Sequence, residues 1–344
     1  MSSQPRTTDA DRLPGLGGPE GLDEASALMV RLAVGSRLDR VGAIAHEHLA
    51  TGGKRMRARL ALAAADALGV RRMDAAPWAA ACELLHQASL VHDDVQDGDA
   101  VRRGAPAAWA RHGVAAAINA GDLLLMLPWT AVSELRAADA VKWRLSRLVA
   151  ARAEEAVRGQ GWDLDLLLAE RLDRHDWRAV ARGKSGALLA LPVEGAAVLA
   201  GLSDESARAL AEPFATLGVL YQAADDVTDL YGDKGRSAPG NDLREGKVSL
   251  LVVEHLLAHP GERAALLATL SAPRDATPDA EVAAWIDRFR ASGTLERCLQ
   301  RVRRLEREVL DDPTLRSVGD LHDVAADLVA RISGKLPVAA RGAA

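Results

Sequence analysis

The chain reads as all-α, and three observations carry that reading. Ala, Leu, Arg, Asp and Glu are abundant, while Phe and Tyr number only two each; such a composition favours helices and argues against a β sandwich. Apolar residues recur at three- and four-residue steps through most of the chain, which is the period of a helix face. No stretch reads as a convincing strand. At 344 residues the chain can bury a large core. With no domain-scale linker and no short-period repeat, one domain is expected over residues 21–336. A disordered tail is expected over 1–20 and a flexible one over 337–344.

The helical period begins near Gly21 and runs to about Ala50, through Leu28, Leu32, Leu38, Val41, Ala45 and Leu49, with Gly35 in its one gap. Thr51-Gly52-Gly53 ends it. Lys54-Arg55-Met56-Arg57 then opens a helix over Leu60 to Leu68. Backbone amides at a Gly-rich helix start, with Lys and Arg beside them, make an anion site; the plainer alternative is a solvated helix start. The next helix, about Ala75 to Asp97, carries Leu84, Leu85, Ala88, Leu90 and Val91 and ends in Asp93, Asp94 and Asp97, a D-D-x-x-D pattern. At about 100° per residue, Asp93 and Asp97 lie one above the other with Asp94 beside them. Three acids at the end of a buried helix repel one another and lose solvation. They need cations: Arg102 and Arg103 follow, and a divalent metal is the other kind.

After a linker with Arg102, Arg103, Gly104 and Pro106, helices are expected over 113–137, bent by Pro128, and over 139–160. Gly159-Gln160-Gly161-Trp162-Asp163-Leu164 punctuates that run. Another helix starts near His175 and carries Lys184-Ser185-Gly186. Residues 204–231 form a long helix ending in Tyr221-Gln222-Ala223-Ala224-Asp225-Asp226-Val227-Thr228-Asp229, a second D-D-x-x-D. A polar loop over 232–246 follows, with Lys247 just beyond it, and residues 247–335 read as four more amphipathic helices.

The formal net charge of -5 argues against general nucleic-acid binding. Cys82 and Cys298 lie far apart without CxxC spacing, as in a reducing compartment. Residues 1–20 lack the apolar core of a secretory signal. Runs such as Leu123–Trp129 are too short to span a bilayer. A cytoplasmic protein, not integral to a membrane, is expected.

One D-D-x-x-D on a helix is usually solvated charge. Two, each ending an apolar helix and each followed by Arg and Lys, fit Mg²⁺ shared with substrate phosphates, because Mg²⁺ takes oxygen ligands from a few carboxylates plus phosphate. Such an arrangement stabilises charge on a departing diphosphate, and apolar helix faces suit a greasy substrate tail.

These residues resemble the trans-isoprenyl diphosphate synthases, or polyprenyl synthetases, over roughly residues 25–335. The likeness rests on GGKRMR at 52–57, ELLHQASLVHDDVQD at 83–97, RRG at 102–104, GD at 121–122, GQGWDL at 159–164, KSGAL at 184–188, YQAADDVTD at 221–229 and DLREGKVS at 242–249. The resemblance implies a helical bundle around a central cavity, usually a homodimer, that condenses an allylic diphosphate with isopentenyl diphosphate. It implies Mg²⁺, three ions per active site, with Asp93, Asp97 and Asp225 as direct ligands and Asp94, Asp226 and Asp229 supporting or binding through water. It implies that Arg102, Lys184, Ser185, Gln222 and Lys247 hold the allylic diphosphate, and that Lys54, Arg57, His86 and Arg103 hold isopentenyl diphosphate. The catalytic set is then Asp93, Asp97, Asp225, Arg102, Lys184 and Lys247. The chain departs from the family at Ala58, where Pro is usual, at Ser185 for Thr, at Tyr221 for Phe, and at Ser237, where a Lys is usual; Lys234 and Arg236 stand slightly earlier.

In this family the product grows beside the first acidic helix. Ala88 and Ser89 lie five and four residues before Asp93, with Leu85 a turn further back. Two small residues there, and no insertion inside the first motif, imply a product longer than C15. Met126 and Trp129 on the next helix either close the tunnel or are ordinary core residues. Geranylgeranyl diphosphate (C20) is the expected product, with farnesyl or longer chains, or a non-catalytic partner subunit, as alternatives. A class I terpene cyclase would pair one D-D-x-x-D with a different metal motif. A di-iron bundle, raised by Glu83-x-x-His86, lacks a second such pair.

Overall fold

A computed structural model describes residues 21–36, 39–168, 172–232 and 239–337. Both expected tails, Leu38, Lys234, Arg236 and Ser237 lie outside them, apart from Pro337. Among the described residues, packing defines two compact units, each assembled from separated stretches of chain. The first lies within Met1–Arg152, Leu191–Ala211 and Ser317–Asp327; the second lies within Ala153–Ala190, Glu212–Arg316 and Leu328–Ala344.

The first unit begins with α1 (Leu22–Val34) and α2 (Arg40–Ala50). The single helix expected over 21–50 is two. Gly35 takes φ 66° and ψ -166°, which no helix accommodates, and Asp39 caps the second helix by accepting the Gly42 N–H at 2.7 Å. Next come α3 (Met56–Ala67) and α4 (Arg72–Gln96). Residues 60–65 of α3 are buried all round, as an alanine-rich helix inside a core should be. α4 packs against α1, α3 and α6 (Val114–Ser133), and its Trp78, fully buried, donates its indole N–H to the Pro192 carbonyl at 3.0 Å.

Between α4 and α6 the linker contains the one ladder among the described residues. β1 (Val101–Arg102) pairs antiparallel with β2 (Ala105–Pro106), followed by α5 (Ala108–His112). Arg103 and Gly104 turn it with φ of 53° and 79°, the two positive values of a type I′ turn. No strand was expected here. α6 spans 20 residues, long and apolar enough by length and composition to cross a bilayer, unlike the shorter run Leu123–Trp129. Its buried side, including Ala117, Ala120, Gly121 and Leu124, is a core face.

α7 (Asp139–Asp165) is continuous through Gly159 and Gly161, where a break was expected. The second unit takes its C-terminal part and adds α8 (Arg174–Ala181), a π-helical turn over Arg182–Gly186, and α9 (Ala187–Leu199), which the division cuts at Ala190. α10 (Asp204–Tyr231) has the bounds the sequence predicts. Beyond it lie α11 (Asn241–Arg244), α12 (Leu250–Ala258), α13 (Arg263–Leu270), α14 (Asp279–Ala291), α15 (Thr294–Leu310), α16 (Pro313–Arg316) and α17 (Gly319–Ser333), more pieces than the four expected. α15 buries Cys298, Leu299, Val302, Leu305 and Val309, a helical stripe, and packs against α12 and α14.

Candidate active site

The first unit gathers a basic cluster around one face of α4. Gly52 and Gly53 lead from α2 with φ of 78° and 119°, and Arg55, the residue before α3, also has positive φ. A Cβ on Gly53 would stand 2.6 Å from the Arg103 guanidinium carbon, so only glycine admits Arg103 there. Arg103 donates to the Gly52 carbonyl, and Arg55 to the Leu49 carbonyl at 2.6 Å. Arg57 Nη1 lies 3.0 Å from His86 Nε2. A guanidinium only donates, so Nε2 accepts and the ring proton resides on Nδ1. That Nδ1 is buried without a hydrogen-bond partner. Burial, then the charges of Arg57, Arg103 and Arg102, hold His86 well below its ordinary pKa and keep the ring neutral. The unit thus presents several guanidinium groups and one buried N–H donor. Lys54 is exposed beside them.

Behind this cluster runs a buried polar chain. His48 donates from Nε2 to Gln87 Oε1 (3.1 Å), Gln87 donates to Glu83 Oε1 (2.7 Å), and Glu83 Oε2 accepts the backbone N–H groups of Arg57 and Ala58 (both 3.2 Å). Burial and the charges of Arg102 and Arg103 lower His48 to about 4. Glu83 is thereby committed to α3, which removes the di-iron reading of Glu83-x-x-His86.

At the end of α4, Asp93 and Asp97 are half-exposed, and the Asp97 N–H closes the helix on the Asp93 carbonyl at 2.8 Å. Asp94 is 1% exposed. Its two oxygens take a fork from Arg102, whose Nε lies 2.6 and 2.7 Å away and whose Nη2 also reaches Oδ1. The hairpin makes this possible by folding residue 102 back on α4. Burial opposes the Arg102 charge, but the Asp94 fork outweighs it and raises the pKa.

In the second unit the corresponding pattern is held by neutral donors. Asp225 is half-exposed. Asp226 is buried and accepts from Gln222 Nε2 (2.8 Å), the Trp177 indole N–H (3.2 Å) and the Leu250 N–H (2.7 Å). With burial dominant, its carboxyl is pushed up to about 7. Asp229 is buried too; its side chain accepts the Asp242 N–H at 3.0 Å and its carbonyl the Gly240 N–H at 3.1 Å, tying α10 to the loop that leads to Lys247. Lys184 pairs with Asp163 at 2.9 Å, Lys247 with Glu245 at 2.7 Å, and Ser185 Oγ lies 3.5 Å from Gln222 Oε1.

The π-helical turn that carries Lys184 and Ser185 is wedged by glycines. A Cβ on Gly159 would come within 2.5 Å of the Lys184 N, and one on Gly186 within 2.7 Å of the Ala215 carbonyl oxygen. Gly159 therefore serves close approach rather than helix termination, which is why α7 runs on. Asp163 and Trp177 are functional candidates the sequence did not single out. The first was legible inside GQGWDL; the second had no sequence signal.

The residues assigned to product length divide. Leu85 and Ala88 are buried at 3% and 1%, and Ser89 is half-buried with its hydroxyl on the His86 carbonyl. Trp129 is half-buried and donates to the Ser146 carbonyl at 3.2 Å. Met126 is 54% exposed, so it is not an ordinary core residue of this chain.

Among the described residues no three His, Cys, Asp or Glu side chains form a metal-binding group by themselves. The donors at Asp93, Asp97 and Asp225 are carboxylate oxygens, the kind Mg²⁺ takes; burial raises the Asp94 carboxyl, and Arg102 opposes that rise.

The polyprenyl synthetase family model matches residues 39–288. A short chain isoprenyl diphosphate synthase of Methanothermobacter thermautotrophicus is 37% identical over 218 residues, 62% of this chain and 66% of that protein. A geranylgeranyl diphosphate synthase of Methanosarcina mazei is 33% identical over 204 residues, 59% of this chain and 63% of that protein. The chain thus spans just under two thirds of the length of these curated relatives. A crystal structure of polyprenyl synthetase from Streptomyces coelicolor superposes with a TM-score of 0.82 at 27% identity, covering 93% of this chain and 99% of that one.

Proposed function

The chain belongs to the polyprenyl synthetase family, and from that premise we propose that it is a Mg²⁺-dependent trans-prenyltransferase. It condenses an allylic diphosphate (dimethylallyl, geranyl or farnesyl) with isopentenyl diphosphate, and its product is geranylgeranyl diphosphate (C20). The observation that carries this reading is the repeated arrangement of the two acidic motifs. In each, the first carboxylate is half-exposed while the second is buried and locked.

Asp93, Asp97 and Asp225 hold Mg²⁺, three ions per active site, and Asp94, Asp226 and Asp229 fix the segments that carry them. The metal supplies charge neutralisation on the departing diphosphate. Arg102, Lys184, Ser185, Gln222 and Lys247 hold the allylic diphosphate; the carboxylate partners of the three cations keep them in place before substrate arrives. Lys54, Arg57, Arg103 and the His86 Nδ1–H hold isopentenyl diphosphate. The allylic C1–O bond breaks with its electron pair leaving on diphosphate. The isopentenyl double bond attacks C1, and the proton lost from C2 passes to the departing diphosphate. No protein base is needed; positioning and charge stabilisation carry the rate.

The protein acts in the cytoplasm as a homodimer. The exposed apolar residues Val114, Ile118 and Met126 of α6 support that assembly. The test is incubation with labelled isopentenyl diphosphate, each allylic primer in turn and Mg²⁺, followed by product chromatography. C20 product is expected, and no condensation with any primer overturns the reading. Ala88→Phe is expected to shorten the product; an unchanged distribution removes Ala88 from the product path.

A further inference from the structure

We infer that Glu83 is the positioning residue of the isopentenyl diphosphate subsite, acting through the first turn of α3; this rests on the function proposed above. α3 begins without a cap of its own. Arg55 precedes it in a left-handed conformation, and no side chain near in sequence accepts the first N–H groups. Glu83 does so from α4, twenty-five residues further along the chain. Its Oε2 takes the N–H groups of Arg57 and Ala58 together, both at 3.2 Å. Its Oε1 is fixed by Gln87, itself fixed by His48, and lies 3.9 Å from the Arg55 guanidinium. The carboxylate is 2% exposed.

The consequence is geometric. Arg57 is the first α3 residue whose N–H Glu83 holds, and its side chain reaches His86, one turn along α4 from Glu83. One helix face therefore sets the backbone of α3 through Glu83 and receives the Arg57 side chain at His86. Arg57 and His86 are held in register by a buried carboxylate that grips the α3 backbone and has the Arg55 guanidinium beside it. Ala58 strengthens the arrangement, because the proline usual in this family has no N–H to offer.

Reach and charge separate in two conservative variants. Glu83→Asp keeps the charge but is one methylene short of the two N–H groups. Glu83→Gln keeps the reach and loses the charge. Binding of isopentenyl diphosphate alone, without primer or metal, is read by calorimetry; KM for each substrate and Tm are read in parallel on the full chain. Glu83→Asp is expected to weaken isopentenyl diphosphate binding, and raise its KM, about tenfold, leaving the allylic KM within about twofold. Glu83→Gln is expected to stay within about threefold on both. The inference is overturned if the Asp variant binds as the unmodified protein does, if Gln is as impaired as Asp, or if both KM values rise together. Failure of the unmodified protein to bind isopentenyl diphosphate overturns the parent reading, and this one with it.

Discussion

The two D-D-x-x-D segments are identical at their acidic positions, yet they end in different electrostatic states. Asp94 is buried against a guanidinium; Asp226 is equally buried against an indole, an amide and a backbone N–H. Burial raises both carboxyls; at Asp94 the Arg102 guanidinium opposes the rise, whereas Asp226, held by neutral donors, is pushed up to about 7. Their last members differ as well. Asp97 closes its helix half-exposed, while Asp229 is buried inside α10 and engages the loop beyond. Spacing along a helix sets which carboxylates share a face. Whether each is ionised depends on what the rest of the chain lays against it.

The sharpest test removes the half-exposed carboxylates. Asp93→Ala and Asp225→Ala are each expected to lower kcat on the order of a thousandfold without unfolding the protein. A large loss at one position only, in steady-state assays of both, ends the equivalence of the motifs.

Next in size is the lock on the first motif. Arg102→Met leaves Asp94 buried without its cation and is expected to cost about 3 kcal/mol of stability, read by urea unfolding. A cost under about 1 kcal/mol would mean that water reaches Asp94 readily.

A pH measurement probes the cation-rich character of the first unit. His48 titrates at about 4 in the fold against an ordinary 6.5, so the fold favours the neutral ring. The stability this contributes is complete above about pH 6.5 and is lost as pH falls toward 4, with a slope of at most about 1.4 kcal/mol per pH unit. His48→Gln is expected to flatten that limb of the urea-midpoint profile; an unchanged slope assigns it to other groups.

The smallest effect belongs to the neutral lock. Trp177→Phe removes one of three donors to Asp226 and is expected to cost about 1 kcal/mol. A cost as large as that of Arg102→Met would erase the distinction between the charged and neutral locks.

Legibility followed the range of the interactions involved. α10 ran as predicted because twenty-eight residues of helical period outweigh the one proline inside it, Pro213. Gly35 and Gly159 were misassigned in opposite directions. A glycine inside a periodic run can be a left-handed break or a close-packing contact, and only the neighbour decides; at Gly159 that neighbour is the backbone of Lys184. The hairpin at 101–106 was missed because two paired residues leave no alternating pattern to read.

The sequence by itself determined the helical class, the two acidic helix ends, the basic segments beside them and the order of motifs that identifies the family. Those features are local, written in periods of three and four residues and in short runs of charge. Only the tertiary structure decided which carboxylates are locked, that Glu83 caps α3, and that His86 stays neutral with its proton on Nδ1. Each of those depends on partners brought from distant positions into a water-poor setting, where burial and the donors laid against a group together set how readily it ionises.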